Sequence, residues 1–167
     1  MPSSKDRLYI ALYARGGEGY HWALLTGPKS DKPDETGTRY HAKQHNMVWE
    51  FNEQSIRMAP TNMILIRVIV AKVVDKKKLQ TILRGIPVRP ERPGWTCKSW
   101  VKEAFEALQN GRAISRSLDW ASSSETALWY AEQKKSEHRF DGQAEPGKFD
   151  ETQVATWSTL DGSEVIP

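Results

Sequence analysis

The segment "NMILIRVIVAKVV", residues 62–74, places the strongest constraint on the fold. It is a nearly continuous run of β-branched and aliphatic residues, a pattern typical of a strand that is buried on both faces. The run is long enough to cross the middle of a sheet. We therefore expect it to be a central strand with other strands beside it.

Four shorter segments before this run are predicted to be further strands. Residues 7–14 ("RLYIALYA") and 20–27 ("YHWALLTG") flank the Gly-containing stretch "RGGEG", which indicates an antiparallel hairpin. Residues 38–42 ("TRYHA") and 47–53 ("MVWEFNE") have the composition of two short strands joined at "KQHN". Together with the central run, these segments predict a strongly antiparallel sheet of about five strands.

Helical patterns begin only after these strands. The clearest covers residues 95–111, with Thr96 as a candidate cap. A short helix is predicted between the cap Asp75 and Gly85, and a third covers "SSETALWYAEQKK", capped by one of the serines at 122–124. The predicted fold class is therefore α+β, with the helix at 95–111 packed on one face of the antiparallel sheet.

The length of 167 residues is that of one domain that can fold without disulfides or metal. We predict a single domain over residues 1–137 and a C-terminal tail or strap over 138–167, where the sequence becomes polar. The 24 basic and 21 acidic residues are dispersed, so we expect no binding to nucleic acid. No apolar run is long enough to span a membrane, and the expected location is cytoplasmic or nuclear.

The chain contains a single cysteine, Cys97. One cysteine excludes an internal disulfide and a site made of several thiolates. The sequence also contains no phosphate-binding P-loop, no dinucleotide-binding glycine motif and no zinc-ligand spacing. We therefore expect neither a metal nor a cofactor.

Three residues are candidates for nucleophilic catalysis. Cys97 falls near the N-terminus of the predicted helix, where unpaired N–H groups and the helix dipole favour a thiolate. His21 lies inside an apolar strand, where its ring nitrogens need partners, and it can act as a base. His41, on an adjacent short strand, can orient that base. Spacing alone favours a plainer interpretation, in which Cys97 is a small packed thiol and each histidine an ordinary core or surface residue.

Aromatic residues next to these positions are candidates for substrate binding. Tyr20 and Trp22 flank His21, and Trp95 lies two residues before Cys97, where it can wall a substrate channel. The tryptophans of the chain fit core and loop anchors as well. Glu50 is an alternative orienting group for the base, or a charge on an edge strand.

The order of these motifs resembles that of a known family. "GYHWALLTG" resembles the histidine strand of the lecithin:retinol acyltransferase-like and phospholipase A/acyltransferase proteins, and "RYHA" is similar to their second histidine strand. "WTCKSWV" resembles their nucleophile helix. These proteins belong to the permuted NlpC/P60 branch of papain-like thiol enzymes, in which the histidine strands precede the cysteine helix. The same order is similar to that of small fungal proteins.

The resemblance implies a cysteine-dependent hydrolase or acyltransferase that acts on an ester, thioester or amide through an acyl-cysteine intermediate. It implies His21 as general base, His41 as its orienter and Cys97 as nucleophile, with the Cys97 N–H contributing to an oxyanion hole. The expected partner is a small-molecule or acyl substrate, and a protein partner is also open. One alternative is a catalytically inactive papain-like binding module, which Thr96 in place of the usual asparagine favours. Another is an isopeptidase of the desumoylating type.

Overall fold

The computed structural model describes residues 5–15, 19–29, 34–60 and 63–167. The strands are β1 (Arg7–Tyr13), β2 (His21–Gly27), β3 (Thr36–His45), β4 (Val48–Arg57), β5 (Ile64–Lys72), β6 (Ala155–Ser158) and β7 (Ser163–Ile166). The helices are α1 (Lys76–Arg84), α2 (Cys97–Asn110) and α3 (Trp120–Ser136).

The seven strands form one sheet in the order β4-β3-β2-β1-β5-β6-β7. Neighbouring strands are antiparallel, except for the parallel pair β5 and β6. The α+β class is therefore confirmed, and so is the hairpin of β1 and β2. Residues 16–18 of the predicted hairpin loop, and residue 62, the first of the long apolar run, lie outside the described residues.

The prediction of about five strands is wrong, because β6 and β7 add two more strands to β1–β5. Both come from the segment 138–167, which the sequence suggested to be a tail or a strap. Each contains only four residues, too few for a recognisable alternation of apolar and polar residues. The pairing partner supplies what the local sequence lacks, since β6 lies directly beside the buried strand β5.

The two faces of the sheet are covered differently. One face carries the larger hydrophobic cluster, in which Trp22, Leu24 and Tyr40 pack with buried residues of all three helices. The other face carries a second cluster built from strand residues and Met58, namely Tyr9, Ala11, Tyr13, Ala23, Leu25 and Ile69. Because successive residues of a strand point to opposite faces, β1, β2 and β5 contribute to both clusters.

The start of α3 corrects the sequence prediction. The predicted cap, one of the serines at 122–124, is wrong: the Asp119 side chain caps the helix and accepts a hydrogen bond of 2.8 Å from the Ser122 N–H. Aspartate at this position competes well with serine for the first free N–H groups of a helix. The earlier start places Trp120 against Trp22, with 5.8 Å between the ring centroids.

The C-terminal strand offers a test of the seven-stranded sheet. Ile166 is buried, whereas its neighbour Val165 is 37% exposed. We expect Ile166→Ala to lower the free energy of unfolding by about 2 kcal/mol, the usual cost of truncating a buried aliphatic side chain. Val165→Ala, the control, should cost less than about 0.5 kcal/mol. Urea denaturation measures both, and equal small effects would show that residues 163–166 form a loose tail.

Candidate active site

Cys97 is the first residue of α2. The first turn of the helix is held by a hydrogen bond of 3.1 Å from the Thr96 N–H to Ser99 Oγ. The Cys97 side chain is only 2% exposed, and its sulfur accepts a hydrogen bond of 3.4 Å from the main-chain N–H of Trp22. β3 pairs with β2 only from Leu24 onward, so the N-terminal end of β2 is where the sulfur meets the sheet.

The two histidines of the predicted site are in direct contact. His21 Nε2 lies 2.6 Å from His41 Nδ1, a hydrogen-bond distance. The strand register explains this contact. Leu25 of β2 pairs with Arg39 of β3, and the same antiparallel register places His41 diagonally across from His21 on one face of the sheet.

A third side chain, which the sequence did not single out, extends this pair. His41 Nε2 lies 3.1 Å from Asn52 Oδ1. His41 and Asn52 are directly paired residues of β3 and β4, so their side chains share a face. The prediction of Glu50 as an alternative orienter is wrong, because Glu50 pairs with Lys43, with 3.7 Å between the carboxylate and the ammonium.

The surroundings keep both imidazoles uncharged at neutral pH. Burial lowers the pKa of His21 from 6.5 to about 4, and the cations Arg39 and Arg15 add to this shift. Burial also lowers the pKa of His41 to about 3, with further contributions from His21 and Arg39 that exceed the opposing hydrogen bond to Asn52. Each neutral ring has one N–H donor and one acceptor nitrogen.

The chain of hydrogen bonds assigns these protons. Asn52 Oδ1 can only accept, so His41 Nε2 carries the hydrogen and donates it. His41 Nδ1 is then the acceptor for the hydrogen on His21 Nε2. It follows that His21 Nδ1 is unprotonated. This nitrogen is the one bonded to Cγ, on the main-chain side of the ring, and it is a free base.

The thiol and the histidine pair lie on opposite faces of the sheet at β2. The His21 ring lies beside the Tyr13 ring, 5.9 Å between centroids, on the face of the second hydrophobic cluster. Cys97 belongs to the larger cluster on the helical face. The sulfur and His21 are nevertheless neighbours along the main chain, since the sulfur contacts the N–H of Trp22, the residue after His21. Among the described residues, no hydrogen bond joins the Cys97 sulfur to an imidazole.

The three candidate substrate-binding residues have different surroundings. Trp22 is buried, and Lys98 Nζ lies 4.8 Å from its ring centroid. The Trp95 ring packs edge-to-face against Trp49 at 5.4 Å and borders a groove of about 550 Å³ along α2. The Tyr20 hydroxyl donates to the Glu132 carboxylate of α3.

Tyr20 also borders a depression of about 250 Å³ whose wall includes Leu65 and Phe140. Burial and the hydrogen bond to Glu132 raise the pKa of Tyr20 to about 12. Its hydroxyl therefore stays protonated at neutral pH. Of these three residues, Tyr20 is the one that faces open space near the start of β2.

No group of three or more His, Cys, Asp or Glu side chains within the described part of the chain is arranged to hold a metal ion. None of the described helices combines the length and the apolar character that crossing a bilayer requires.

The fold and these contacts define a class of protein: an α+β domain in which a hydrogen-bonded His–His–Asn chain on an antiparallel sheet lies beside the N-terminus of a cysteine-bearing helix. The chain belongs to the family of unknown function DUF6914, whose family model matches residues 5–166. No curated protein and no solved structure matches the chain.

The lowered pKa values predict a pH dependence of stability. Unfolding returns each imidazole to a pKa of 6.5, so between pH 6.5 and 4 the unfolded chain binds more protons than the folded one. The free energy of unfolding should therefore fall from pH 7 to pH 5, by on the order of 2 kcal/mol for the buried His41 alone.

Urea denaturation at pH 7, 6 and 5 measures this fall. A His21→Gln/His41→Gln double variant should lose most of it, whereas His45→Gln, which replaces an exposed histidine, should keep it. An equal fall in wild type and the double variant would mean that other groups cause the pH dependence.

Proposed function

We propose that this protein is a cysteine-dependent hydrolase or acyltransferase that attacks an ester, thioester or amide carbonyl. The observation that supports it most is the proton arrangement of His21, His41 and Asn52, which leaves a free base at His21 Nδ1. The Cys97 sulfur contacts the peptide that follows this histidine. The motif resemblance to permuted NlpC/P60 thiol enzymes points to the same chemistry.

The reaction has two halves. The Cys97 thiol gives its proton to His21 Nδ1 while the sulfur bonds to the substrate carbonyl carbon. The bond between that carbon and the leaving group then breaks, and the imidazolium returns the proton to the leaving group. Water, or an acceptor hydroxyl or amine, attacks the acyl-Cys97 thioester, again through His21, and the thiol is restored.

His41 and Asn52 act by positioning and polarising the base. When His21 becomes an imidazolium, its Nε2–H donates to the neutral His41 ring, which Asn52 holds through Nε2. The Trp22 N–H stabilises the sulfur when it carries charge. The His21 ring and the Cys97 sulfur lie on opposite faces of β2. Proton transfer therefore requires the N-terminal end of β2, which does not pair with β3, to rearrange on substrate binding until Nδ1 and the sulfur come within hydrogen-bond distance.

The low exposure of Cys97 favours a second candidate function. A sulfur that is 2% exposed, and packed in the helical cluster, also suits a papain-like binding module without turnover. In that case a ligand would bind equally well to the Cys97→Ser variant. An acyl group on Cys97, detected by mass spectrometry after incubation with p-nitrophenyl acetate, would exclude the binding module.

Alkylation tests whether the thiol is activated. Because Cys97 is the only cysteine in the chain, iodoacetamide labelling followed by mass spectrometry reports on it alone. We expect the wild type to react at pH 7 at least about tenfold faster than His21→Ala, which lacks the base. His45→Ala is the control and should react like the wild type. If wild type and His21→Ala react equally, no activated pair exists.

The roles of the two histidines predict different mutational costs. His21→Ala should abolish turnover of p-nitrophenyl acetate, because the nucleophile loses its proton acceptor. His41→Asn and His41→Gln can still hold the base by one hydrogen bond and should retain measurable activity. Asn52→Leu should lower kcat by about 10- to 100-fold, because the His41 tautomer is no longer fixed.

The pH–rate profile separates positioning from structural damage. In Asn52→Leu, loss of the fixed tautomer should displace the acid limb, whereas a merely destabilised protein should keep the limb of the wild type. Equal and complete loss of activity in the His21 and His41 variants would leave the assigned roles unsupported. A larger loss in the His41 variants would invert them.

A further inference from the structure

The face of the sheet that carries the histidine pair also holds two buried polar atoms that have no hydrogen-bond partner among the described residues. The Tyr13 hydroxyl and Arg39 Nε are both buried, and neither forms a hydrogen bond of good geometry with another described residue. Burial, the larger effect, raises the pKa of Tyr13, although the Arg39 side chain is near enough to the hydroxyl to lower it. The Tyr13 side chain as a whole is 5% exposed. A buried donor without an acceptor is unfavourable, so such atoms call for an explanation.

These two residues are close to each other and to the candidate base. The Arg39 guanidinium carbon lies 5.7 Å from the centroid of the Tyr13 ring. Tyr13 is the cross-strand neighbour of His21. Arg39 uses one terminal nitrogen to bond Gln54 Oε1 at 2.8 Å, which leaves its Nε–H for another acceptor.

A second arginine lies on the same face. Arg67 of β5 pairs with Ala11 and is 2% exposed. It donates to Thr156 Oγ1 at 2.9 Å, and its guanidinium carbon lies 5.0 Å from the Tyr9 ring centroid. Tyr13, Arg39 and Arg67 are called the arginine–tyrosine cluster below.

Within the described part of the chain, no carboxylate neutralises the arginine–tyrosine cluster. Neither of its guanidinium groups forms an ion pair with a carboxylate of the described residues, although buried charges are normally paired. The cations Arg39, Arg15 and Lys43 all lower the pKa of one or both histidines of the pair. Arg39 is paired with Leu25, and Arg67 with Ala11, so the side chains between the two arginines are those of Leu25 and Tyr9 as well as the small Ala11 and Ala23.

We propose that the arginine–tyrosine cluster binds an anionic group of the substrate, a carboxylate or a phosphate, through the Tyr13 hydroxyl and the Arg39 guanidinium. This inference rests on the proposed function, since it assigns a substrate class to that site. The anion accepts from both unpaired donors, and Arg67 stabilises its charge from the next strand. Arg39 is the partly exposed member of the cluster, so the ligand reaches the donors from its side.

Anions fit this cluster better than neutral groups. Tyr13 and Arg39 offer donors, and a carboxylate or phosphate consists of acceptors in a compact arrangement. Charge-assisted hydrogen bonds to an anion are stronger than those to a neutral oxygen. A neutral ligand would satisfy the hydrogen bonds but leave two guanidinium charges without a counter-charge.

Binding of simple anions tests the proposal without any need for turnover. Sodium succinate, inorganic phosphate and the neutral analogue succinamide are titrated into the full chain. Calorimetry gives the Kd, and the imidazole NMR signals of His21 and His41 report the place of binding. We expect succinate or phosphate to shift both signals saturably, and succinamide to leave them unchanged.

Variants of the cluster give the second part of the test. Arg39→Gln should raise the Kd for succinate about tenfold or more, and Tyr13→Phe should raise it about threefold. Arg57→Gln removes the same charge from an exposed position at the end of β4 and should leave the Kd within about twofold of wild type. If circular dichroism shows that Arg39→Gln is unfolded, Arg39→Lys, which keeps the charge but not the Nε donor, should give an intermediate Kd.

Three results would overturn the anion site: absence of binding by either anion, equal affinity for succinate and succinamide, or equal weakening by Arg39→Gln and Arg57→Gln. These outcomes are separate from the fate of the proposed function. Succinate and phosphate contain no acyl group to transfer, so their binding does not depend on Cys97. An inert Cys97 with intact succinate binding would refute the enzyme and keep the anion site.

Discussion

The hydrogen bond between His41 and Asn52 determines where the protons of the histidine pair lie, because an amide oxygen can accept but not donate. Since both rings are neutral at physiological pH, that single constraint passes through His41 to His21 and leaves Nδ1 of His21 as the unprotonated nitrogen. Replacing Asn52 by a donor would reverse the order of protons. The proposed chemistry at Cys97 depends on this direction of the hydrogen bonds, from His21 through His41 to Asn52.

The sheet is what makes such an arrangement possible. Three neighbouring strands hold one member each of the chain His21–His41–Asn52, so the distances are set by strand register rather than by a loop. Cys97 is the first residue of α2, and its sulfur contacts the main chain near the N-terminal end of β2. The same face of the sheet brings Tyr13 and Arg39 next to the base, which links the proposed catalytic group to the proposed anion site.

Sequence patterns predicted the parts of the fold that rest on local signals. The predictions of the run 62–74 and of the hairpin 7–27 rest on strong local signals, because a buried strand requires apolar residues at consecutive or alternate positions. The strands β6 and β7 were not predicted, because each has only four residues and is stabilised by pairing with a neighbouring strand. The cap of α3 was misplaced because a run of serines offered several equivalent capping positions, whereas Asp119 holds the helix.

The sequence predicted those residues of the site that have a local signal, and it did not predict Asn52, whose place depends on the pairing of two strands. His21 and Cys97 stand out locally, one in an apolar strand and one at a helix start. Asn52 is defined by register: β3 and β4 are joined by a tight turn at Asn46 and Met47, and counting back from that turn pairs His41 with Asn52. Both turn residues have positive φ, yet the pair lacks the glycine that usually marks such turns.

The sequence could not predict that the Tyr13 hydroxyl and Arg39 Nε have no hydrogen-bond partner among the described residues, because this depends on which side chains the fold brings near them and not on neighbouring residues in the chain.

The most direct test of the central claim is a ¹⁵N NMR measurement of the imidazole tautomers at pH 7. The structure predicts that both rings are neutral, that the hydrogen of each lies on Nε2, and that His21 Nδ1 has the chemical shift of an unprotonated nitrogen. A His21 ring protonated on Nδ1, or a charged pair at pH 7, would contradict the proposed base and with it the activation of Cys97.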